Sequence, residues 1–136
     1  MARGHGATGG VGGYAVQLAR ARGVHVIATV HRDAEEAARL GAEDVYDSLD
    51  VDVIDAIKRR HPQGVDAVLD VVNGNDAIRR DAEILKANGR LVSTLYAADI
   101  RWFAERKIAA ENNASVRNPL ASRQGLTELA RFITTN

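Results

Sequence analysis

The stretch Gly6-Ala-Thr-Gly-Gly-Val-Gly-Gly-Tyr-Ala-Val-Gln-Leu-Ala-Arg-Ala-Arg-Gly23 decides the fold, because a glycine-rich turn leads directly into a helical pattern. Five of the 12 glycines in the chain lie between Gly6 and Gly13. After them, apolar residues recur at a spacing of three to four, which predicts a helix with one apolar face that Gly23 ends. The next seven residues, Val24-His-Val-Ile-Ala-Thr-Val30, are rich in β-branched side chains and predict a buried strand.

Helices and strands continue to alternate along the chain. Asp33 is a candidate N-cap for the helix that follows the strand, and Gly41 is a candidate stop for it. A later helix has Val51, Ile54 and Ile57 on one face. Strands are predicted at 2–6, 24–30, 45–46, 65–72, 90–95 (after an Asn88-Gly89 turn) and 114–117, and helices at 11–22, 34–40, 51–60, 75–86, 99–108 and 121–133.

This order predicts an α/β fold of the Rossmann type. Strands that alternate with helices form a doubly wound, mostly parallel sheet with helices on both faces. The first strand is predicted to be truncated, because Met1-Ala-Arg-Gly-His5 offers only two apolar residues where a central parallel strand usually has a run of them. Residues 1–136 are therefore predicted to form one domain of this type.

The glycine-rich turn predicts a binding site for a dinucleotide. Read as Ala7-x-Gly9-x-x-Gly12, it is a variant of the fingerprint in which a strand turns tightly into a helix. Gly9 would let the backbone approach a pyrophosphate, and Gly12 would let the helix pack closely on the strand. The predicted pyrophosphate-binding residues are Ala7, Thr8, Gly9, Gly10, Val11 and Gly12, and a glycine-rich surface turn without a ligand is the alternative.

The end of the second strand bears on which dinucleotide binds. In NAD-binding domains an acidic residue about 20 residues beyond the loop accepts hydrogen bonds from the ribose. Val30 occupies that position here, and Asp33 is better placed to cap the next helix. His31 and Arg32 could instead hold a 2′-phosphate, so NADP(H) is predicted over NAD(H). The alternative is that Arg32 is only a solvated surface charge.

Composition excludes several other classes of function. Hydrophobic residues make up 46% and charged residues 26%, which is typical of a globular protein. Eighteen basic residues balance 18 acidic ones, so neither nucleic acid nor an anionic membrane is an expected partner. Cysteine is absent, which excludes disulfides and cysteine-ligated metal. A cytoplasmic location is expected, and the four histidines, which have no local spacing typical of ligands, predict no metal site.

Four segments are informative when they are taken together. They are the glycine-rich turn with its helix, Arg39-Leu-Gly-Ala-Glu-Asp-Val45, Gly64-Val-Asp-Ala-Val-Leu-Asp-Val-Val72 and Leu85-Lys-Ala-Asn-Gly-Arg-Leu-Val-Ser93. In this order and spacing they resemble the medium-chain dehydrogenase/reductase family, and within it the quinone oxidoreductase-like and zinc-type alcohol dehydrogenase-like proteins. The similarity covers residues 6–95 well.

The resemblance implies a nicotinamide cofactor and a small substrate. It implies hydride transfer between NADP(H) and a quinone, an enone or another carbonyl or alcohol compound. By position, Val71, Val72 and Asn73, with Ser93 and Thr94 on the next strand, would line the nicotinamide side of the cleft. No catalytic residue is assigned within this chain.

The resemblance also implies a second, GroES-like catalytic domain and a homodimer. The chain is expected to be a fragment without that domain, and turnover by the fragment alone is not expected. Dimers of the family pair the last strand of the sheet across a two-fold axis, which would place Ala114–Arg117 at the interface. Where the family often has a tyrosine this chain has Ser48, so ring stacking is lost there. A free-standing nucleotide-binding or sensor module without turnover is the alternative function, and a remnant that binds nothing is a third.

Overall fold

The computed structural model describes residues 2–5 and 10–112 of the protein. The predicted strand at 114–117 and the predicted helix at 121–133 lie outside these residues. The strands are β1 (Ala2–His5), β2 (Val26–Val30), β3 (Asp44–Asp47), β4 (Val65–Asp70), β5 (Leu85–Ser93) and β6 (Ala109–Asn112). The helices are α1 (Gly10–Ala21), α2 (Ala34–Leu40), α3 (Val53–Arg60), α4 (Asn75–Ile78), which a 3₁₀ turn (Arg79–Glu83) extends, and α5 (Ile100–Ala104).

The six strands of the described residues form one parallel sheet in the order β3-β2-β1-β4-β5-β6. The short first strand lies at the centre, with Ala2 opposite Val26 of β2 on one side and Ala67 of β4 on the other. Because the chain continues from β1 to one side and later returns to the other, the strand order reverses there. The predicted Rossmann-type sheet with a short first strand is confirmed.

Helices cover both faces of the sheet, as predicted. Successive residues of a strand point to opposite faces, so Ile27 of β2 and Leu91 of β5 belong to one core, and their neighbours Ala28 and Val92 lie on the other side. Helices α3, α4 and α5 cover the first face, whereas α1 and α2 cover the second. Within the described ranges, no helix is both long and apolar enough to cross a membrane.

Capping residues set several helix ends and explain where the predictions differ. Gly41 ends α2 in the left-handed conformation that glycine favours, as predicted. Asp33 occupies the N-cap position of α2, but its side chain makes no capping hydrogen bond. Asp52 caps α3 by accepting a hydrogen bond from the Asp55 backbone N–H at 3.3 Å, so α3 begins at residue 53. Val51 therefore lies outside the helix and is exposed, and Val53 joins the buried face in its place.

Pairing between strands, and not the local sequence, decides the structure around Asn88-Gly89. These residues predict a turn before a strand, but they lie inside β5, which begins at residue 85. The pairing shifts from Leu85 opposite Val65 to Arg90 opposite Ala67, so the residues between form an irregularity within the strand. The predicted helix at 75–86 is shortened accordingly, because pairing with β4 already orders its last two residues as strand.

The structure also differs from the prediction in the region after α5. This helix ends at residue 104 instead of 108, and Lys107 adopts a positive φ of 61°. The Ile108 N–H then donates to the Phe103 carbonyl at 3.0 Å, which turns the chain into β6. The sequence predicts no strand at 109–112, because two alanines followed by glutamate and asparagine give little local strand signal.

A matched pair of glycines tests how the irregular part of β5 packs. A Cβ built at Gly89 would lie 2.7 Å from the Lys86 carbonyl oxygen, whereas one at Gly74 would have no heavy atom within 4 Å. We expect Gly89→Ala to lower the free energy of unfolding by about 1–3 kcal/mol, because backbone must shift to relieve the overlap. Gly74→Ala should change it by about 0.5 kcal/mol or less. Chemical denaturation measures both, and equal effects would contradict this packing.

Candidate functional site

The candidate site lies at the carboxyl ends of the parallel strands, beside the point where their order reverses. Ligands of doubly wound folds collect at this crevice. Helix α1 begins five residues after β1 ends, and its first turn contains Gly10, Val11 and Gly12. Three of the predicted pyrophosphate-binding residues, Ala7, Thr8 and Gly9, lie outside the described residues.

The first turn of α1 suits an anionic ligand. It contains no acidic residue, so the positive end of the helix is not neutralised by a carboxylate of its own. Gly12 and Gly13 are buried, which matches the predicted close approach of helix and strand. Val16 and Ala19 then pack in the core formed with β2 and α2. This geometry fits the pyrophosphate of a dinucleotide.

An open groove of about 530 Å³ extends along the same edge of the sheet. It contains three of the predicted site residues, His31 after β2 and Val72 with Asn73 after β4. The His31 Nδ1 lies 3.2 Å from the Ser48 hydroxyl, which joins the ends of β2 and β3. The other lining residues are Thr29, Val30, Ser48, Val51, Asp52, Val53, Ile54, Ala77, Arg80 and Asp81.

Arg32 is exposed beside this groove and is not among its lining residues. Its backbone adopts a positive φ of 91°, and its N–H donates to Asp47 Oδ2 at 3.2 Å. The other Asp47 oxygen accepts from the Leu49 N–H at 2.9 Å. Asp47 therefore holds two turns together. Sequence reasoning missed this carboxylate near the predicted ribose site because it belongs to the neighbouring strand β3.

Inside the groove, a salt bridge offsets the charge of Arg80. Its guanidinium lies 3.3 Å from Asp52 Oδ2 and 3.4 Å from Glu83 Oε2. The backbone N–H of Asp55, and next the Arg80 guanidinium, hold the pKa of Asp52 below its usual value. Both side chains are exposed, so this pair contributes little to stability.

The Asp70 side chain holds the loop that follows β4. Its side chain is almost fully buried, and Oδ1 accepts hydrogen bonds from the Val72 N–H at 3.0 Å and the Asn73 N–H at 2.9 Å. Asn73 Nδ2 donates to the other oxygen at 2.6 Å. The Val71 side chain packs against the buried Leu69. The buried Asp70 carboxylate therefore holds the turn that follows its own strand.

The predicted residues of the next strand are close by but buried. Thr94 is 8% exposed, and its N–H donates to the Asp70 carbonyl at 3.1 Å, which ties the ends of β4 and β5 together. Ser93 is completely buried, and its hydroxyl accepts from the Leu95 and Ala97 N–H groups at 3.3 and 3.0 Å. Its side chain thus fixes the turn after β5.

The chain matches known proteins over most of its length. Residues 10–129 match the family model described as zinc-binding dehydrogenase. A phenolphthiocerol/phthiocerol polyketide synthase of Mycobacterium tuberculosis is 43% identical over 91 residues, which are 65% of this chain and 4% of that protein.

Two solved structures share the fold. The quinone oxidoreductase of Escherichia coli, complexed with NADPH, is 25% identical with a TM-score of 0.71, over 97% of this chain and 44% of that one. The CurK enoyl reductase is 27% identical with a TM-score of 0.73, over 96% of this chain and 42% of that one. The chain thus spans less than half of either structure. It belongs to the zinc-binding dehydrogenases of the medium-chain dehydrogenase/reductase family, and these residues are part of their nucleotide-binding domain.

Proposed function

We propose that the chain binds NADP(H) and positions the nicotinamide for hydride exchange with a carbonyl compound. The observation that carries this proposal is the placement of α1. The first turn of α1 is rich in glycine and contains no acidic residue. It lies at the carboxyl ends of the strands, where the strand order reverses and an open groove begins. A family relative with the same fold was solved with NADPH, which supports the nicotinamide part of the proposal.

The parts of the dinucleotide are assigned to different strand ends. Residues 7–12 would bind the pyrophosphate, and His31 with Arg32 would contact the 2′-phosphate of the adenosine ribose. Val71, Val72 and Asn73, with Ser93 and Thr94, would line the nicotinamide side. The bound cofactor would supply the hydride chemistry, and these residues would bind and orient it. Since Ser93 and Thr94 are buried, their contribution is to hold the turns that face the ligand.

The substrate class follows from the relatives. We infer a compound with a carbonyl group, either a quinone or an enone such as the conjugated thioester that an enoyl reductase would reduce. The enone is favoured by one observation: the chain is 43% identical to a polyketide synthase and 33–35% identical to curated quinone oxidoreductases over a similar stretch. A nucleotide-binding module without turnover is the second candidate function.

The family description names zinc, but the structure offers no ligand set for it at the groove. Cysteine is absent from the chain. In the part of the chain that the structure describes, the one group of three possible metal ligands lies at the opposite edge of the sheet. No step of the proposed chemistry is therefore assigned to a metal.

A cytoplasmic homodimer is also part of the proposal. Within residues 2–5 and 10–112, β6 is the last strand of the sheet and its outer edge pairs with no other strand. An open strand edge is a surface on which a second copy can add its own strand. The segment predicted for this contact, 114–117, is outside the described residues. A stable monomer in sedimentation would contradict the dimer.

Titration of the purified chain tests the proposed function. We expect NADPH to quench or shift the protein fluorescence with a saturable, submillimolar Kd, because the groove and the α1 N-terminus are both present. Addition of a quinone or an enone should then cause no loss of NADPH absorbance if the chain is only the nucleotide-binding domain. If neither NADPH nor NADH binds below millimolar concentration, the proposal is wrong. Turnover by the chain alone would exclude the binding-module alternative.

The preference for NADP(H) depends on Arg32. We expect Arg32→Ala to raise the Kd for NADPH about tenfold or more, because a hydrogen bond to a charged group contributes about 1.5–3 kcal/mol. The Kd for NADH should change little. Arg59→Ala is the matched control, since Arg59 is an exposed arginine in the last turn of α3. Equal losses for both dinucleotides would refute the role of Arg32.

Asp70 and Asp66, on the same strand, give a matched test of the loop after β4. Asp70→Asn would point an amide at the Asn73 amide, so we expect it to lower the free energy of unfolding by about 1–3 kcal/mol. NADPH binding should weaken severalfold in a sample that remains folded. Asp66 is exposed and pairs with Lys86 at 3.1 Å, so Asp66→Asn should change either quantity little. Denaturation and NADPH titration measure these effects, and unaltered binding by the folded Asp70 variant would rule out the positioning role.

A further inference from the structure

We propose that His25, Asp44 and His61 bind a divalent transition-metal ion such as Zn²⁺. The proposal rests on these side chains and does not depend on the proposed function. The three residues are 17 to 36 positions apart in the sequence, so no local spacing reveals them. The fold places them together because His25 directly precedes β2, Asp44 is the first residue of β3, and His61 directly follows α3.

The ligand atoms converge on one carboxylate oxygen. Asp44 Oδ2 lies 2.9 Å from His25 Nε2 and 3.1 Å from His61 Nε2. One atom from each of the three side chains falls within 4.8 Å of the others. Ligand atoms of a tetrahedral zinc site with bonds of about 2.0–2.1 Å are about 3.3 Å apart. Small side-chain movements would therefore open the space for an ion, with water as the fourth ligand.

A second observation concerns the other nitrogen of His25. His25 Nδ1 lies 2.7 Å from Glu43 Oε2, while Arg20 Nη1 lies 3.0 Å from the other Glu43 oxygen. In metal sites, a ligating histidine usually donates its second N–H to a carboxylate, which fixes the ring and directs the free nitrogen at the ion. Glu43 has this arrangement with His25, and Arg20 in turn holds Glu43.

The cluster is partly shielded from water. The side chains of His61 and Asp44 are 12% and 18% exposed, whereas His25 is 38% exposed and leaves a path for an ion. Burial would raise the pKa of Asp44, but hydrogen bonds and attraction from His25 and His61 lower it below its usual value. The carboxylate is thus ionised at neutral pH, as a metal ligand must be.

This site is separate from the dinucleotide groove. All three ligands lie at the amino ends of the strands, whereas the groove lies at the carboxyl ends. A metal ion here would link β2, β3 and the end of α3 across one edge of the sheet. Its role would be to stabilise the folded chain, since a ligand that binds only the folded state shifts the folding equilibrium towards it.

Calorimetric titration of the chelator-treated chain with ZnCl₂ tests the proposal. We expect one site of micromolar or tighter Kd, and a rise in Tm on addition of Zn²⁺. Asp44→Asn and His61→Gln should each weaken binding at least tenfold. Glu43→Gln should weaken it by about 10-fold or more through the orientation of His25. Asp76→Asn is the control, because Asp76 is an exposed carboxylate outside the cluster and should leave the Kd unchanged.

Further measurements distinguish this site from nonspecific binding of Zn²⁺ at the protein surface. Co²⁺ in place of Zn²⁺ should give the visible absorption of a tetrahedral centre, and saturation with NADPH should not change the Zn²⁺ affinity. Circular dichroism shows whether each variant is folded, and Glu43→Gln, at an exposed residue, provides a test if His61→Gln unfolds. Absence of saturable binding, or equal affinity of the wild type and the folded Asp44 and Glu43 variants, would overturn the proposal.

Discussion

The parallel pairing of β1 between β2 and β4 is the constraint on which the rest of the structure depends. Its four residues join the two halves of the sheet, with Ala2 to His5 opposite Val26 to Thr29 on one side and Ala67 to Asp70 on the other. Because the strand order reverses there, α1 begins beside the crevice between the halves. The position of the candidate site is therefore a consequence of the sheet topology, and a first strand of four residues is enough to establish it.

Buried polar side chains shape the carboxyl edge of this sheet. Asp70 and Ser93 each accept two backbone hydrogen bonds from the residues that follow their strands. A buried acceptor of this kind holds a loop in one conformation, because the loss of its partner would leave a desolvated polar group. In the proposed complex, these residues would act on the ligand through the turns that they fix. The exposed His31 and Arg32 would contact it directly.

Much of the fold was predictable because its signals are local. The apolar face of α1, the β-branched run of β2 and the stop at Gly41 all depend on neighbouring residues, and each was confirmed. The predictions were wrong where pairing between strands decided the outcome, as in β5, whose Asn88-Gly89 pair is enclosed within a strand. The weakly apolar β6 was missed for the same reason, since its place at the edge of β5 orders it.

The sequence by itself determined the alternation of elements, the parallel sheet and the glycine-rich start of α1, because periodicity and turn chemistry act over a few residues. Only the tertiary structure decided which distant polar groups meet. It placed the Asp47 carboxylate within hydrogen-bond distance of the Arg32 backbone N–H. It also brought His25 and His61 to the same oxygen of Asp44. The physical reason is that parallel strands bring their ends to a common edge, so residues far apart in the chain become neighbours there.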